Sequence, residues 1–316
     1  AETLLTLAAA QITAAPAWHA LDPTQVGVCL GTTQGPVERW ARHQRRRRGG
    51  SAAPAPLPGL LDPARALARI LGAGGPLACP SMACASGTAA LGLALDWLRQ
   101  KRCKAVVAGG VDAYSPLVHH GFAALRALDP NPARPFDARR RGLSVGEGAA
   151  LLLLLPGSEE APFHLLGWGC AADANHLTGP DPEGAGVARA VRLALADAGL
   201  TPDEVDFVSA HGTATGFNDL MEGKALRSVF GARAVPVNSI KGAIGHTMAA
   251  AGAIEAVLCS LVLQRGQIPA TAGLSRLDPE IAADVVQGEP RQADVQVAVS
   301  TTSGYGGINA AIVLQR

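Results

Sequence analysis

The sequence predicts an α/β protein built from two similar halves, residues 1–156 and 157–316. Each half carries an amphipathic helix, a short apolar strand that ends in a glycine-rich turn, a second helix that opens from small residues, and a closing apolar strand. Short, nearly continuous apolar strands are typical of sheets that helices cover on both faces. We therefore expect two sheets that share buried helices between them.

In the first half, the pattern predicts two helices and two strands in alternation. The predicted segments are a helix over 3–20, a strand over 26–30 followed by the turn 31–35, a helix opening within 81–100 and a strand within 146–155.

The second half repeats this order after one additional strand. The predicted segments are a leading strand over 163–170, a helix over 186–199, a strand over 205–210, a helix opening within 238–264 and a strand within 304–314. Because the leading strand has no counterpart in the first half, we expect such a strand upstream of Ala1. A sheet that lacks a strand has an open edge, so we expect poor stability without it.

Composition argues against several classes of protein. A net charge of +1 and an aromatic content of 4% argue against nucleic-acid binding. The longest apolar run, 149–155, is too short to span a bilayer. The six cysteines form no CxxC pair and lack zinc-finger spacing, so we expect a cytoplasmic protein with reduced thiols and no metal.

Cys84 is the candidate nucleophile among these cysteines. It lies in the small-residue turn 80–88, at the mouth of an apolar helix. The positive end of a helix dipole lowers the pKa of a thiol and favours the thiolate. A buried structural cysteine fits the position equally well. The cysteines within strand or helix patterns are expected in the core, at positions 29, 103, 170 and 259.

Two histidines of the second half also stand in glycine-rich turns. His211 follows a predicted strand, and His246 opens the helix that matches the one after Cys84. A single histidine is usually structural, but α/β proteins place active sites at strand ends. We therefore expect both histidines to converge on Cys84.

These segments resemble the signatures of the β-ketoacyl-ACP synthases, most nearly the KAS I/II type. The motifs are MACASG at 82–87, HGTAT at 211–215, KGAIGH at 241–246 and SGYGGIN at 303–309, with further matches at 109–112, 134–137 and 146–149. The resemblance spans the chain and implies a thiolase-like fold. It also implies a five-layer αβαβα arrangement, here without the first strand.

The resemblance also implies a role for each site residue. Cys84 would carry the acyl group as a thioester, with the backbone N–H groups of Cys84 and Tyr305 as oxyanion hole. His211 and His246 would donate hydrogen bonds to the malonyl thioester as it loses carbon dioxide. The remaining implied residues are Lys241 and Glu222, which orient the site, Thr213 and Thr215, which hold the pantetheine arm, and Asn309 in support.

Two residues depart from the family pattern. Ser303 stands where the family usually has phenylalanine, beside the gate residue Tyr305, and Gln34 replaces an apolar residue that usually lines the acyl pocket. Both departures argue against a plain saturated fatty acyl substrate. An aryl, polyene or polyketide intermediate is the expected alternative.

Two arginine runs are candidate docking sites for an acidic carrier protein. The first, Arg39–Arg48, holds six arginines and leads into a proline-rich loop through Pro58. A solvated flexible loop is the commoner meaning of such a run. The second run is Arg139–Arg141.

The resemblance thus implies a condensing enzyme that extends an acyl chain on an acyl carrier protein by two carbons, in fatty acid or polyketide biosynthesis. It implies a homodimer, or a heterodimer with a homologous ketosynthase or chain-length-factor subunit, and no metal or organic cofactor. One alternative is the chain-length-factor partner, which usually lacks the cysteine. The other is a thiolase, which would place a second cysteine within residues 300–309, where none occurs.

Overall fold

The structure is a computed structural model that describes residues 1–49, 58–157 and 161–316. The helices are α1 Glu2–Ala14, α2 Pro16–His19, α3 Val37–Arg48, α4 Asp62–Leu71, α5 Ser86–Arg99, α6 Pro116–Ala124, α7 Ala185–Ala198, α8 Gly216–Phe230, α9 Lys241–Ile244 and α10 Ala250–Arg265. The strands are β1 Val26–Gly31, β2 Leu77–Ala78, β3 Ala105–Asp112, β4 Gly148–Leu154, β5 His164–Ala172, β6 Phe207–Ser209, β7 Pro236–Asn238, β8 Gln267–Ile268, β9 Asp284–Val285, β10 Arg291–Gln292, β11 Val297–Gly304 and β12 Ile308–Gln315.

Two large sheets repeat one strand order, as the internal duplication predicts. The first sheet has the order β2-β1-β3-β4, and the second has β5-β12-β11-β6-β7-β9. Read from β7, the second sheet gives β7-β6-β11-β12, in which parallel strands are followed by one antiparallel strand, as in the first. The first sheet comes entirely from residues before 157 and the second from residues after it.

The sheets differ at one edge. In the second sheet, β5 pairs antiparallel with β12 from Ile308 opposite Ala172 to Gln315 opposite His164. The equivalent edge of β4 carries no strand within the described ranges. Within the described ranges, the first sheet thus has one strand fewer at this edge than the second sheet has.

The elements stack in five layers, as the fold class implies. Helices α1 and α4 cover one face of the first sheet, and α7 and α8 cover the outer face of the second. Helices α5 and α10 lie between the sheets, where Leu91 and Ala256 share a buried apolar cluster with Val106 and Phe207. The order is therefore αβαβα.

Glycines let the two middle helices approach each other closely. A Cβ on Gly87 would lie 2.3 Å from the Ala249 carbonyl oxygen, and one on Gly252 would lie 1.9 Å from Oγ1 of Thr88. Both distances are too short for any other residue. This close approach brings the turn before α5 and the turn before α10 side by side.

Some boundaries differ from the sequence-based expectation. The helix predicted over 3–20 breaks at Ala15, which is extended because the residue before a proline disfavours helix. The arginines of Arg39–Arg48 lie in helix α3, not in a loop. The proline-rich loop lies mostly outside the described residues. In the described part of the chain, every helix is too short or too polar to cross a bilayer.

Candidate active site

A cavity of about 630 Å³ joins the two halves at the mouths of the middle helices. Cys84 lines it from the first half, and His211 and His246 line it from the second. The structure therefore brings together the three residues that the sequence singled out. Other candidate residues on its wall are Thr213, Thr215, Ser303, Tyr305 and Asn309.

Cys84 lies in a strained turn two residues before α5. Ala83 has a φ of +49°, in the left-handed region that costs an alanine of the order of 1–3 kcal/mol. Thr33 fixes the turn, because its hydroxyl donates to the Ala83 carbonyl at 3.0 Å. Phe122 and Met248 pack around the cysteine, which is only 3% exposed. The strain is localised at the residue that directs the thiol into the cavity.

Burial controls the protonation of this thiol. Burial raises the pKa of Cys84 to about 12, while the charge of Lys241 and the backbone N–H groups of Tyr305 and Cys84 act in the opposite direction. The sequence-based expectation of a lowered pKa is therefore wrong, because α5 begins only at Ser86 and desolvation outweighs the helix dipole. The same N–H groups are placed to bind negative charge that develops next to the sulfur.

The two histidines form a neutral pair. Their ring centroids are 5.1 Å apart with the rings nearly perpendicular, and each residue is only 2% exposed. Burial lowers the pKa of His211 and of His246 well below the usual range, and the charge of Lys241 adds to this effect. A neutral imidazole offers one N–H donor and one lone pair. Within the described residues, Nδ1 of neither ring has a hydrogen-bond partner.

A buried carboxylate holds His211 in place. Glu222 accepts the backbone N–H groups of His211 and Gly212, each at 2.7 Å, and the hydroxyl of Thr301 at 2.8 Å. Burial raises the pKa of Glu222, and these hydrogen bonds oppose the rise. Glu222 thus lies beneath the histidine and supports its backbone, outside the wall of the cavity.

His246 is held by the first half of the chain. Its N–H donates to the Ser144 carbonyl at 2.7 Å, and its carbonyl accepts the N–H of Gly146 at 2.9 Å. The turn that carries it is left-handed at Gly245, with a φ of +73°. The position of this histidine therefore depends on contact between the two halves.

Lys241 forms a buried ion pair with Glu255. Both side chains are only 1% exposed. Burial raises the pKa of Glu255, and the ammonium of Lys241 opposes the rise. No sequence motif pointed to Glu255, although it is the one charged residue in the apolar run 249–263. A charge at such a position needs a partner, and this is the signal that could have identified it.

Thr213 and Thr215 hold the turn that follows β6. Their hydroxyls are hydrogen-bonded to each other at 3.0 Å, and Oγ1 of Thr215 accepts the Asn218 N–H at the start of α8. Because both residues also line the cavity, this structural role is compatible with contact to a substrate.

The glycine-rich loop between β11 and β12 forms another wall. Tyr305 is 37% exposed, and its ring lies edge-on against Phe122 with centroids 5.3 Å apart. The hydroxyl of Ser303 is buried and has no hydrogen-bond partner in the described residues. Asn309 donates to Oδ1 of Asp173 at 2.7 Å, which ties the loop to the segment after β5.

Gln34 is not brought into the cavity of Cys84. It lines a separate cavity of about 270 Å³, together with Glu2 and Glu38. Its Nε2 donates to the Ala113 carbonyl at 3.0 Å. The expectation that Gln34 contacts the acyl group stays a prediction without support from this geometry.

Two family profiles match the chain in succession. The N-terminal domain of beta-ketoacyl synthase matches residues 3–160, and the C-terminal domain matches residues 163–275. The chain belongs to the β-ketoacyl synthase family.

Individual members of the family support this assignment. The chain is 37% identical over 261 residues to the 3-oxoacyl-[acyl-carrier-protein] synthase 2 of Synechocystis sp., covering 78% of this chain and 63% of the relative. It thus spans less than two thirds of that relative's length.

Solved structures of synthases also resemble this chain. A β-ketoacyl synthase from Burkholderia phymatum superposes with a TM-score of 0.91 at 30% identity, covering 100% of this chain and 82% of the other. A ketosynthase in complex with its chain length factor from Xenorhabdus doucetiae gives a TM-score of 0.86 at 32% identity, covering 97% and 77%. These similarities confirm the thiolase-like fold that the motifs implied.

Proposed function

We propose that this β-ketoacyl synthase chain carries the catalytic site of a condensing enzyme, which joins a malonyl unit on an acyl carrier protein to an acyl group on Cys84. The observation that supports this proposal best is the cavity itself, in which one thiol faces two neutral histidines. A thiol can accept an acyl group, and two N–H donors can stabilise an enolate, so the cavity holds the groups for both steps.

In the first step, Cys84 attacks the thioester of an acyl donor. A sulfur–carbon bond forms at Cys84, the donor's thioester bond breaks, and the carrier thiol leaves with the proton of Cys84. The N–H groups of Cys84 and Tyr305 bind the oxyanion of the tetrahedral intermediate. Burial raises the pKa of Cys84 and the charge of Lys241 opposes this rise, so Lys241 favours formation of the thiolate.

In the second step, the malonyl group loses carbon dioxide and leaves an enolate at its thioester. His211 and His246 remain neutral because burial lowers both pKa values, so each can donate a hydrogen bond to the enolate oxygen. Loss of one such donor typically costs a factor of about 10² to 10³ in rate. The carbanion then attacks the acyl carbonyl, and Cys84 leaves as thiolate.

Lys241 and Glu222 act on this chemistry from a distance. The ammonium of Lys241, fixed by Glu255, raises the positive potential around Cys84. Glu222 positions the backbone of His211. The pantetheine arm arrives on the substrate, and the proposed reaction uses no resident metal or organic cofactor. We place the protein in the cytoplasm with reduced cysteines.

The acyl substrate that we favour is an aryl, polyene or polyketide intermediate. Ser303 supports this choice, because its small polar side chain lies on the wall of the cavity with an unpaired buried hydroxyl in the described structure. Gln34 adds no support, since it lines a different cavity.

The partner is an acyl carrier protein, together with a second copy of this chain or a homologous subunit. The Xenorhabdus ketosynthase, which binds a chain length factor, supports a heterodimer. The alternative is that this chain is itself the non-catalytic subunit. It is disfavoured because Cys84, His211, His246 and Lys241 are all present and assembled.

Intact-mass analysis after exposure to acyl-carrier protein tests the proposed function. We expect an acyl adduct on the parent chain, none on Cys84→Ala, and discharge of the adduct by malonyl-carrier protein as a β-ketoacyl product. An adduct that forms only with an added homologous subunit would indicate an obligate heterodimer. No adduct in either case would contradict the catalytic proposal.

A further inference from the structure

Asp112 is a buried carboxylate at the end of β3 that the proposed reaction does not use. It is only 3% exposed. Strands β1 and β3 pair in parallel up to Gly31 opposite Gly110, so the turn after β1 lies beside the end of β3. Within the described residues, no lysine, arginine or histidine nitrogen lies within 4.0 Å of this carboxylate. A buried charge without a cation must be held by hydrogen bonds.

Four donors surround the two oxygens of the Asp112 carboxylate. Oδ1 accepts the hydroxyl of Thr32 at 2.7 Å and the N–H of Gln34 at 3.3 Å. Oδ2 accepts the N–H groups of Thr33 at 2.9 Å and of Ala249 at 3.0 Å. Burial raises the pKa of Asp112, and these hydrogen bonds oppose the rise. Because a donor faces each of the four lone pairs, the site fits the ionised form.

Three of these donors lie in the turn that supports the nucleophile. Thr33 is bound to Asp112 through its N–H, and its hydroxyl donates to the carbonyl of Ala83 at 3.0 Å. Ala83 is the strained residue that precedes Cys84. A Cβ on Gly31 would lie 2.3 Å from a carbonyl oxygen at the start of α5, so this turn is packed tightly against the helix. The carboxylate is therefore connected to the cysteine side of the cavity.

The fourth donor belongs to the segment that carries a histidine of the cavity. Ala249 directly precedes α10 and follows His246 by three residues. Its N–H lies at a helix start, where a negative charge is favoured by the helix dipole. Met248, between them, is left-handed with a φ of +55°, and a Cβ on Gly110 would lie 2.3 Å from the Ala249 carbonyl oxygen. The same carboxylate is therefore connected to the histidine side of the cavity.

The charge of Asp112 also acts on the nucleophile. Burial is the main cause of the raised pKa of Cys84, the charge of Asp112 adds to the rise, and the charge of Lys241 opposes it. The other titratable groups around the thiol are Tyr305 and the two histidines, whose pKa values burial lowers. Removal of the Asp112 charge should therefore favour the thiolate.

We propose that Asp112 is a positioning residue that holds the turn of Cys84 and the turn of His246 in register, an inference that rests on the proposed function. Condensation requires the acyl group on Cys84 and the enolate beside His246 to meet within bonding distance. A displacement of about 1 Å can reduce the rate by a factor of about 10². Because the two turns come from different halves of the chain, one carboxylate bound to both fixes their separation.

The two half-reactions test this inference when they are measured separately. Acyl-adduct formation is followed by intact mass, and carbon dioxide release from malonyl-carrier protein is followed without an acyl donor. In Asp112→Asn we expect both rate constants to fall about 10- to 100-fold, because one acceptor oxygen and the charge are lost. Thr33→Val removes only the hydroxyl that binds Ala83, so acylation should slow while carbon dioxide release stays close to that of the parent chain.

Alkylation of Cys84 by iodoacetamide separates positioning from a general loosening of the site. Asp112→Asn removes a negative charge near the thiol, so alkylation at pH 8 should accelerate about tenfold although acylation slows. Thr32→Val keeps the charge and removes one donor to the carboxylate. We expect it to slow both half-reactions without accelerating alkylation. It also tests the inference if Asp112→Asn does not fold.

Asp137→Asn is the matched control. Asp137 is a fully buried carboxylate that accepts the N–H groups of Arg139, Ser275 and Arg276, and it lies outside the described wall of the cavity. Its loss should lower the urea midpoint as the loss of the Asp112 carboxylate does. We expect both half-reactions and the alkylation rate of this control to stay close to those of the parent chain.

Hydrogen–deuterium exchange tests the register without catalysis. Peptides over 82–86 and over 246–250 should both lose protection in Asp112→Asn, and neither should in Asp137→Asn. If the parent chain carries out neither half-reaction, the proposed function fails, and the exchange still decides the inference.

Three results would overturn the inference. The first is unchanged protection of either peptide in Asp112→Asn. The second is an Asp112→Asn variant in which only one half-reaction slows, or a control that slows both equally. The third is alkylation that Thr32→Val accelerates as much as Asp112→Asn does, which would indicate general loosening.

Discussion

The buried ion pair of Lys241 and Glu255 gives the sharpest prediction on stability and activity together. Both side chains are 1% exposed, so a Glu255→Leu substitution would leave an ammonium without a partner in the core. Breaking a buried pair on one side typically costs about 3–5 kcal/mol. This amounts to roughly two to three and a half powers of ten in the folding equilibrium.

Replacing both partners by apolar residues should restore most of that loss. In Lys241→Met/Glu255→Leu no charge remains buried, and such replacements are often neutral or stabilising. The activity should not return, because the positive charge that favours the Cys84 thiolate is gone. We thus expect a double variant that is close to the parent in stability and strongly impaired in acylation.

Urea unfolding and acylation kinetics distinguish the effect on stability from the effect on activity. Both are measured on the parent chain, on Lys241→Met, on Glu255→Leu and on the double variant. Either single variant should unfold at a lower urea concentration than the parent chain, and the double variant near it. A double variant as unstable as Glu255→Leu would refute the reasoning on the pair. A double variant that acylates at the parent rate would refute the role of Lys241.

Three further predictions concern packing and titration. Gly87→Ala should lower the free energy of unfolding by about 1–3 kcal/mol, because its Cβ would lie 2.3 Å from a carbonyl oxygen. Gly121→Ala has nothing within 4 Å of its Cβ and should raise the free energy of unfolding by about 0.5–1 kcal/mol. Equal free energies of the two variants in urea unfolding would contradict the packing of the middle helices. Because burial lowers the pKa of His211 and of His246, the unfolded chain binds more protons below about pH 6.5, so the free energy of unfolding should fall there by up to about 1.4 kcal/mol per pH unit for each histidine. His246→Gln should reduce this slope between pH 6.5 and 5, and an unchanged slope would argue against a buried neutral ring. Alkylation of Cys84 by iodoacetamide, followed by peptide mass, should accelerate about tenfold per pH unit from pH 7 to 9 because its pKa is about 12, and a plateau below pH 9 would contradict this.

The fold could be predicted from the sequence because the order of its elements repeats. Both halves have the same order of elements, with a glycine-rich turn after β1 or β6 and a closing apolar strand, β4 or β12. Local hydrophobic patterns of this kind predict secondary structure directly from the sequence. The pairing of Cys84 with His211 and His246 followed from the same symmetry, since equivalent turns meet at the centre of a duplicated fold.

The remaining features depend on contacts that a linear pattern does not contain. The raised pKa of Cys84 results from residues that bury it, among them Phe122, which lies far away in sequence. Glu255, the partner of Lys241, is a charged residue within the apolar helix α10. Only the packing of that helix in the structure shows that the two side chains form a pair. Gln34 was assigned by motif position alone, and the separation of two cavities is a three-dimensional property.

The division of labour between the thiol and the histidines is the central claim, and the two half-reactions test it most directly. Acyl-adduct formation is measured by intact mass, and release of carbon dioxide is measured separately with carboxyl-labelled malonyl-carrier protein. We expect His246→Ala to form the acyl adduct at close to the parent rate but to release carbon dioxide about 10²- to 10³-fold more slowly. Cys84→Ala should form no adduct at all. Loss of adduct formation in a folded His246→Ala, or carbon dioxide release at the parent rate, would contradict the account.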